Sequence, residues 1–108
     1  MSRVIFSTEA DLDMIRFSTF LEPRGMDIAD EAINTIYASL AMLEDWPLSG
    51  VPVPSRKSLR KFVINYGDSG YIAFYKYFKE SDTAVIAKMF HQNEKYTKTT
   101  LRQLRVTR

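Results

Sequence analysis

Cysteine is absent from the 108 residues, so the chain has neither a disulfide framework nor a thiolate centre, and a cytoplasmic home is expected. Nothing at the N-terminus has the basic, apolar, small-residue order of a signal peptide. Long apolar runs are missing too, since none approaches the ~20 residues of a membrane span. A single histidine, His91, cannot build a metal site without partners, and no acids cluster at ligand spacing, so no metal or other cofactor is expected. Glycine and proline number only four each, and they serve as punctuation at 23–25, 47–54 and 67–70. The length suits one domain, 1–108, carrying a basic tail at about 93–108.

Between those breaks the hydrophobic pattern is clear. In Leu59 to Tyr66, Phe62, Ile64 and Tyr66 alternate with Lys61, Val63 and Asn65, as on a pleated strand. Gly67-Asp68-Ser69-Gly70 is a hairpin turn, and Tyr71 to Phe78 is apolar on both faces, as a strand with neighbours on each side would be. The polar turn Glu80-Ser81-Asp82-Thr83 leads to a third strand, Ala84 to Phe90. A three-stranded antiparallel meander is predicted.

The first half supplies its cover. Met1 to Ser7 reads as a strand joining the meander, and Thr8, with Asp11 three residues on, reads as the N-cap of a helix running to about Leu21. Leu12, Ile15, Met14, Phe17 and Leu21 give that helix a broad apolar stripe. After Pro23 and Gly25, Asp27 is placed to cap a second helix, in which Ala29, Ala32, Ile33, Ile36, Tyr37, Leu40 and Leu43 recur at spacings of three and four. The two helices should form an antiparallel hairpin on the sheet, and the dozen residues after Trp46-Pro47 a non-helical loop back to it. The predicted fold is α+β, in the order β-α-α-β-β-β.

Net charge, +2 overall, conceals a division. Residues 1–50 carry three basic side chains against nine acidic ones, a net of −6, and residues 51–108 carry twelve against four, a net of +8. Such a dipole suits an acidic partner or nucleic acid on the sheet and tail, although lysines on strand edges also guard against aggregation. In the tail, Leu101, Leu104 and Val106 need a docking surface that charge alone does not explain. Leu101 and Leu104 allow a short helix there, or a segment that orders on a partner.

Taken in order, these features resemble the ParE branch of the RelE/ParE superfamily, the toxins of bacterial type II toxin–antitoxin modules. The matching residues are Thr8-Glu9-Ala10 with Asp13, Leu43 with Trp46-Pro47 and Gly50, Pro52-Val53, Leu59-Arg60, Gly67-Asp68-Ser69-Gly70-Tyr71, Phe74-Tyr75-Lys76-Tyr77, and His91 ahead of Glu94 and Tyr96. The resemblance implies a helical hairpin on an antiparallel sheet with the N-terminal strand joined to it. It also implies a ParD-like antitoxin and inhibition of DNA gyrase by binding, with no chemistry of the toxin's own and nucleic acid met only through gyrase. The implied gyrase-facing residues are Lys98, Arg102 and Arg105, and the implied antitoxin-facing ones Leu12, Ile15, Tyr37 and Arg60.

The superfamily's other activity is ribosome-dependent mRNA cleavage, which needs cations around the scissile phosphate and groups to move a proton. Here Arg60, His91 and Tyr96 are the residues left to perform it. The cation expected in the middle strand falls on Ile72 or Tyr71, and the residues after His91 are Gln92 and Asn93. His91 is read as structural in preference to catalytic.

Overall fold

The computed structural model describes residues 1–106. Five strands form one sheet in the order β1-β5-β4-β3-β2, and they comprise β1 (Arg3–Phe6), β2 (Val51–Val53), β3 (Arg56–Tyr66), β4 (Ser69–Phe78) and β5 (Thr83–His91). Helices α1 (Thr8–Leu21) and α2 (Met26–Leu40) cover one face, and a short helix, α3 (Lys98–Arg102), lies in the tail. The β3-β4-β5 meander is antiparallel, as its alternation and turns predict. β1 joins β5 in parallel, so the sheet is mixed, with both long helices and strands β2 to β4 lying between the two in sequence.

The hairpin between β3 and β4 turns on two residues, Gly67 and Asp68, with Gly67 at φ +60°, the sign that a type II′ hairpin requires at its first central position. β4 is buried without a break from Gly70 to Tyr75 because both of its faces are covered. Tyr71, Ala73 and Tyr75 enter the core under the helices, while Ile72 and Phe74 enter a second core on the opposite face. In β5 the register slips at Ala87, an extra residue opposite the Phe74–Tyr75 step. This bulge lets Ile86 and Met89, three apart, face the same core.

The helices depart from the sequence reading at their starts. Ser7, rather than Thr8, is the N-cap of α1: its Oγ accepts from the Ala10 N–H at 3.1 Å and donates to the Ala87 carbonyl at 2.9 Å. The residue leaving β1 thus starts the helix and ties it to β5. Gly25, not Asp27, precedes α2 as its N-cap, and Asp27 lies in the first turn. Within α1 the apolar stripe divides. Met14, Phe17 and Leu21 are buried, whereas Leu12 and Ile15 point outward, 58% and 61% exposed.

After α2 the chain makes a 3₁₀ turn over Ala41–Glu44 and a loop gripped by two side chains of the sheet. The Tyr75 hydroxyl donates to the Pro47 carbonyl at 2.7 Å and accepts from the Gly50 N–H at 2.9 Å. Gly50 has no room for a side chain, since a Cβ there would lie 2.6 Å from the Tyr75 ring. Burial pushes the Tyr75 phenol's pKa up, against the Gly50 hydrogen bond and the Arg60 charge, which lower it. The dozen residues expected as loop also contain β2, held on β3 by register Val51 to Lys61. Its alternation is too short to read, and two prolines hide it.

The tail is docked on the face away from α1 and α2. Leu101 and Leu104 join Val53, Leu59, Ile72, Phe74 and Phe90 in the second core, with Tyr96 and Val106 packed against it. Thr97 and Thr100 form a capping box at the start of α3. Arg56 secures the other end, with Nη1 donating to the carbonyls of Leu101 at 2.9 Å and Leu104 at 2.6 Å. Arg56→Met should therefore cost about 2 kcal/mol, as charged hydrogen bonds to buried acceptors do. It should also raise amide exchange across residues 96–106 selectively. Uniform exchange across all elements would disprove the clamp.

Candidate functional site

Three features define what the surface can do, and the first is the exposed face of the helical hairpin. Leu12, Ile15 and Phe20 on α1 and Met26, Ile28 and Tyr37 on α2 are large apolar side chains left in solvent. Leu12 and Ile15 are neighbours on α1, and Tyr37 sits on α2 with its ring 5.4 Å from that of Phe6. Phe20, 76% exposed, escapes the sequence reading although it continues the i, i+4 row of Leu12 and Arg16. Arg60 belongs elsewhere: its Nη1 donates to the carbonyls of Leu48 at 3.1 Å and Gly50 at 2.7 Å, so it braces the 47–50 loop.

The second feature is a polar seam on the edge of β5. β1 pairs with β5 only as far as Ile86, so from there to His91 the backbone needs other partners. Asp13, only 3% exposed, accepts from the Met89 N–H at 2.8 Å, and Arg16 donates to the Met89 carbonyl at 3.3 Å. The Asp13 carboxylate also pairs with Lys88 at 2.9 Å and Arg16 at 3.1 Å. Glu94 completes the seam, accepting from the His91 N–H at 2.7 Å and pairing with Arg16. Burial raises the Glu94 pKa, but hydrogen bonds from Arg16 and the His91 N–H outweigh it and hold the carboxyl below the usual range. The Arg16 pKa rises in turn, chiefly through its hydrogen bond to Glu94. Helix side chains thus stand in for a missing strand and block the edge.

His91 lies at the end of this seam. Its Nδ1 accepts from the Asn93 N–H at 3.1 Å, which assigns the ring proton to Nε2, 3.3 Å from Ser69 Oγ. Its ring also meets Tyr71 edge-on at 5.3 Å.

The third feature is the basic tail. Lys98 shares a pocket with Lys61, Tyr96 and Leu101, a grouping that only the pairing of β3 beneath the tail creates. Arg102 is exposed one turn further along α3, with Nε donating to the Lys98 carbonyl at 3.4 Å. Arg105 borders a depression formed with Ser7, Thr8 and Glu9, so the tail crosses the sheet from its β2 side to its β1 side.

Arg60, His91 and Tyr96 do not converge. Arg60 is paired across the sheet with Tyr75 and His91 with Tyr71, four residues apart on β4, or about 13 Å along the strand. Both belong to the face toward the helices. Tyr96 is on the other, stacked on Phe90 at 4.9 Å and edge-on to Phe74 at 5.2 Å.

This arrangement, a helical hairpin with an apolar outer face on a sheet that begins with a strand, is the one the motifs imply, and a family comparison agrees with it. The family model described as "ParE toxin of type II toxin-antitoxin system, parDE" matches residues 4–96. The chain belongs to the ParE toxin family. No curated protein matches it. As a ParE-family chain it is the toxin of a type II toxin–antitoxin pair, and an antitoxin is its partner. The match covers the hairpin, the sheet from Val4 onward and Tyr96, but stops short of α3, whose cations lie outside it. No helix among the described residues is long and apolar enough to cross a membrane.

Proposed function

We propose that this toxin acts in the cytoplasm by binding DNA gyrase and stabilising the state in which gyrase has cut DNA, with no covalent chemistry of its own. Binding of that kind shifts a population through differential affinity for one state. Lys98, Arg102 and Arg105 are the gyrase-facing side chains. The observation that carries the reading is the occupied second face of the sheet. The tail lies across it, and Arg60, His91 and Tyr96, the three residues a cleavage reaction would use, are divided between two faces and two ends and do not form one site.

A ParD-like antitoxin fits the hairpin. An amphipathic helix laid along Leu12, Ile15 and Tyr37 would cover the apolar outer face. An extended segment could pair along β3 beyond β2, because β2 pairs with β3 only as far as Lys61 and leaves Phe62 to Tyr66 without an outer strand among the described residues. The β5 edge is closed to it by Asp13, Arg16 and Glu94. Arg60, braced against the 47–50 loop, would set the position of the surface next to β2.

The test is supercoiling of relaxed plasmid by gyrase with purified toxin, read on a gel that resolves linear DNA. Trapped linear DNA is expected, and the triple variant Lys98→Ala, Arg102→Ala, Arg105→Ala should need at least about tenfold more protein, the ratio given by ~1.4 kcal/mol of lost contact. Unaffected gyrase, together with loss of toxicity in folded His91→Ala and Tyr96→Phe variants, would move the activity to mRNA cleavage.

A further inference from the structure

We infer that the pocket between β2, β3 and the tail takes one nucleotide of a DNA strand, its phosphate between Lys61 and Lys98 and its base against the wall that includes Tyr96. The setting rests on the gyrase reading, but the toxin then touches the DNA itself. Lys61 comes from β3, opposite Phe74 in register, and Lys98 from the first residue of α3. No acid lines the pocket, and neither lysine takes part in an ion pair among the described residues. Two lysines therefore border one mostly apolar hollow that no acid lines, and an anion is the complement they lack.

Size and wall chemistry narrow the anion. The hollow measures about 240 Å³, below the roughly 300–1,000 Å³ of sites that enclose a whole small molecule. It suits one unit of a polymer whose remainder stays outside. Its walls are Val51, Pro52, Val53, Phe74, Tyr96 and Leu101. A carboxylate side chain would use the lysines and leave these walls wet. A nucleotide carries its charge beside a flat apolar ring, and lysine next to an aromatic or aliphatic wall is how single strands are held without sequence preference. The site is also firmly built, since Arg56 and the second core fix the tail over β3.

The experiment measures fluorescence anisotropy of a labelled oligothymidine on the full-length toxin without gyrase, across a salt series, with plasmid poisoning by gyrase assayed in parallel. Binding is expected at low salt. The double variant Lys61→Gln, Lys98→Gln should weaken it about tenfold and flatten the log–log salt slope by about 0.7, one phosphate contact's worth for a single strand. The control Arg3→Gln, Lys79→Gln removes the same charge elsewhere and should leave both nearly unchanged. An oligomer with abasic units should bind several-fold more weakly. Thermal melts show that each variant is folded. Equal losses in both double variants, equal binding of the abasic oligomer, or stronger binding of a polyglutamate peptide would overturn the inference. Absent DNA binding with intact gyrase poisoning overturns it and spares the gyrase reading. Binding of the predicted kind with unaffected gyrase does the reverse.

Discussion

Asp13→Ala should lower the unfolding free energy by about 3 kcal/mol, near the lower end of the ~3–5 kcal/mol cost of removing one partner from a buried ion pair. Three groups lose their acceptor at once: the Met89 N–H, the Lys88 ammonium and one nitrogen of Arg16. Arg16 and Lys88 are partly exposed and recover water, which keeps the cost from reaching the upper end. The Met89 amide lies under α1 at the strand edge and recovers less. Asp13→Asn retains an oxygen for that amide while losing both ion pairs, so it should cost about half as much. Urea unfolding with an unchanged m-value checks both, and a midpoint shift worth under about 1 kcal/mol for the alanine variant would sink the account. Because the same side chains close the β5 edge, the alanine variant should also aggregate more readily at high concentration.

Phe74→Ala should cost about 3–5 kcal/mol, as loss of a fully buried phenylalanine does, and its effect should centre on the tail. Phe74 is 1% exposed and stands at the middle of the second core, edge-on to Phe90 at 6.0 Å and to Tyr96 at 5.2 Å. Removing it takes away the floor on which Tyr96 and Leu101 rest. Amide exchange in 96–106 should rise more than in α1 or α2, and the proposed action on gyrase should fall with it. If the helices loosened first and the tail kept its protection, the second core would be a lesser support than its packing indicates.

Much of this was legible before any coordinates. The meander could be read because β3 alternates, β4 does not, and Gly67 stands where positive φ is needed. The hairpin could be read from the three-four spacing of α2. The parallel pairing of β1 with β5 could not, because four residues carry no signal of direction or partner. The cap of α1 was misplaced by one residue, since Ser7 and Thr8 are chemically equivalent there and the Ala87 carbonyl decides between them. Leu12 and Ile15 were legible as apolar, but their exposure depended on which row of α1 met the sheet. Arg60 and Lys61 are adjacent in sequence and serve opposite faces, Arg60 at the 47–50 loop and Lys61 beside Lys98.

Sequence by itself determined the two long helices, every strand but β2, their order and the family, because hydrophobic period, turn residues and ordered motifs are local quantities written in the residues. It also placed an excess of positive charge in the second half. Tertiary structure alone decided where that charge acts. Burial is a property of packed pairs, so only the folded sheet could show that β4 is apolar on both faces because the tail covers the second one. Only the docked tail could set Lys98 beside Lys61 from a strand 37 residues earlier in sequence, and only the short reach of β1 could turn Asp13 from a helix acid into the partner of a strand edge.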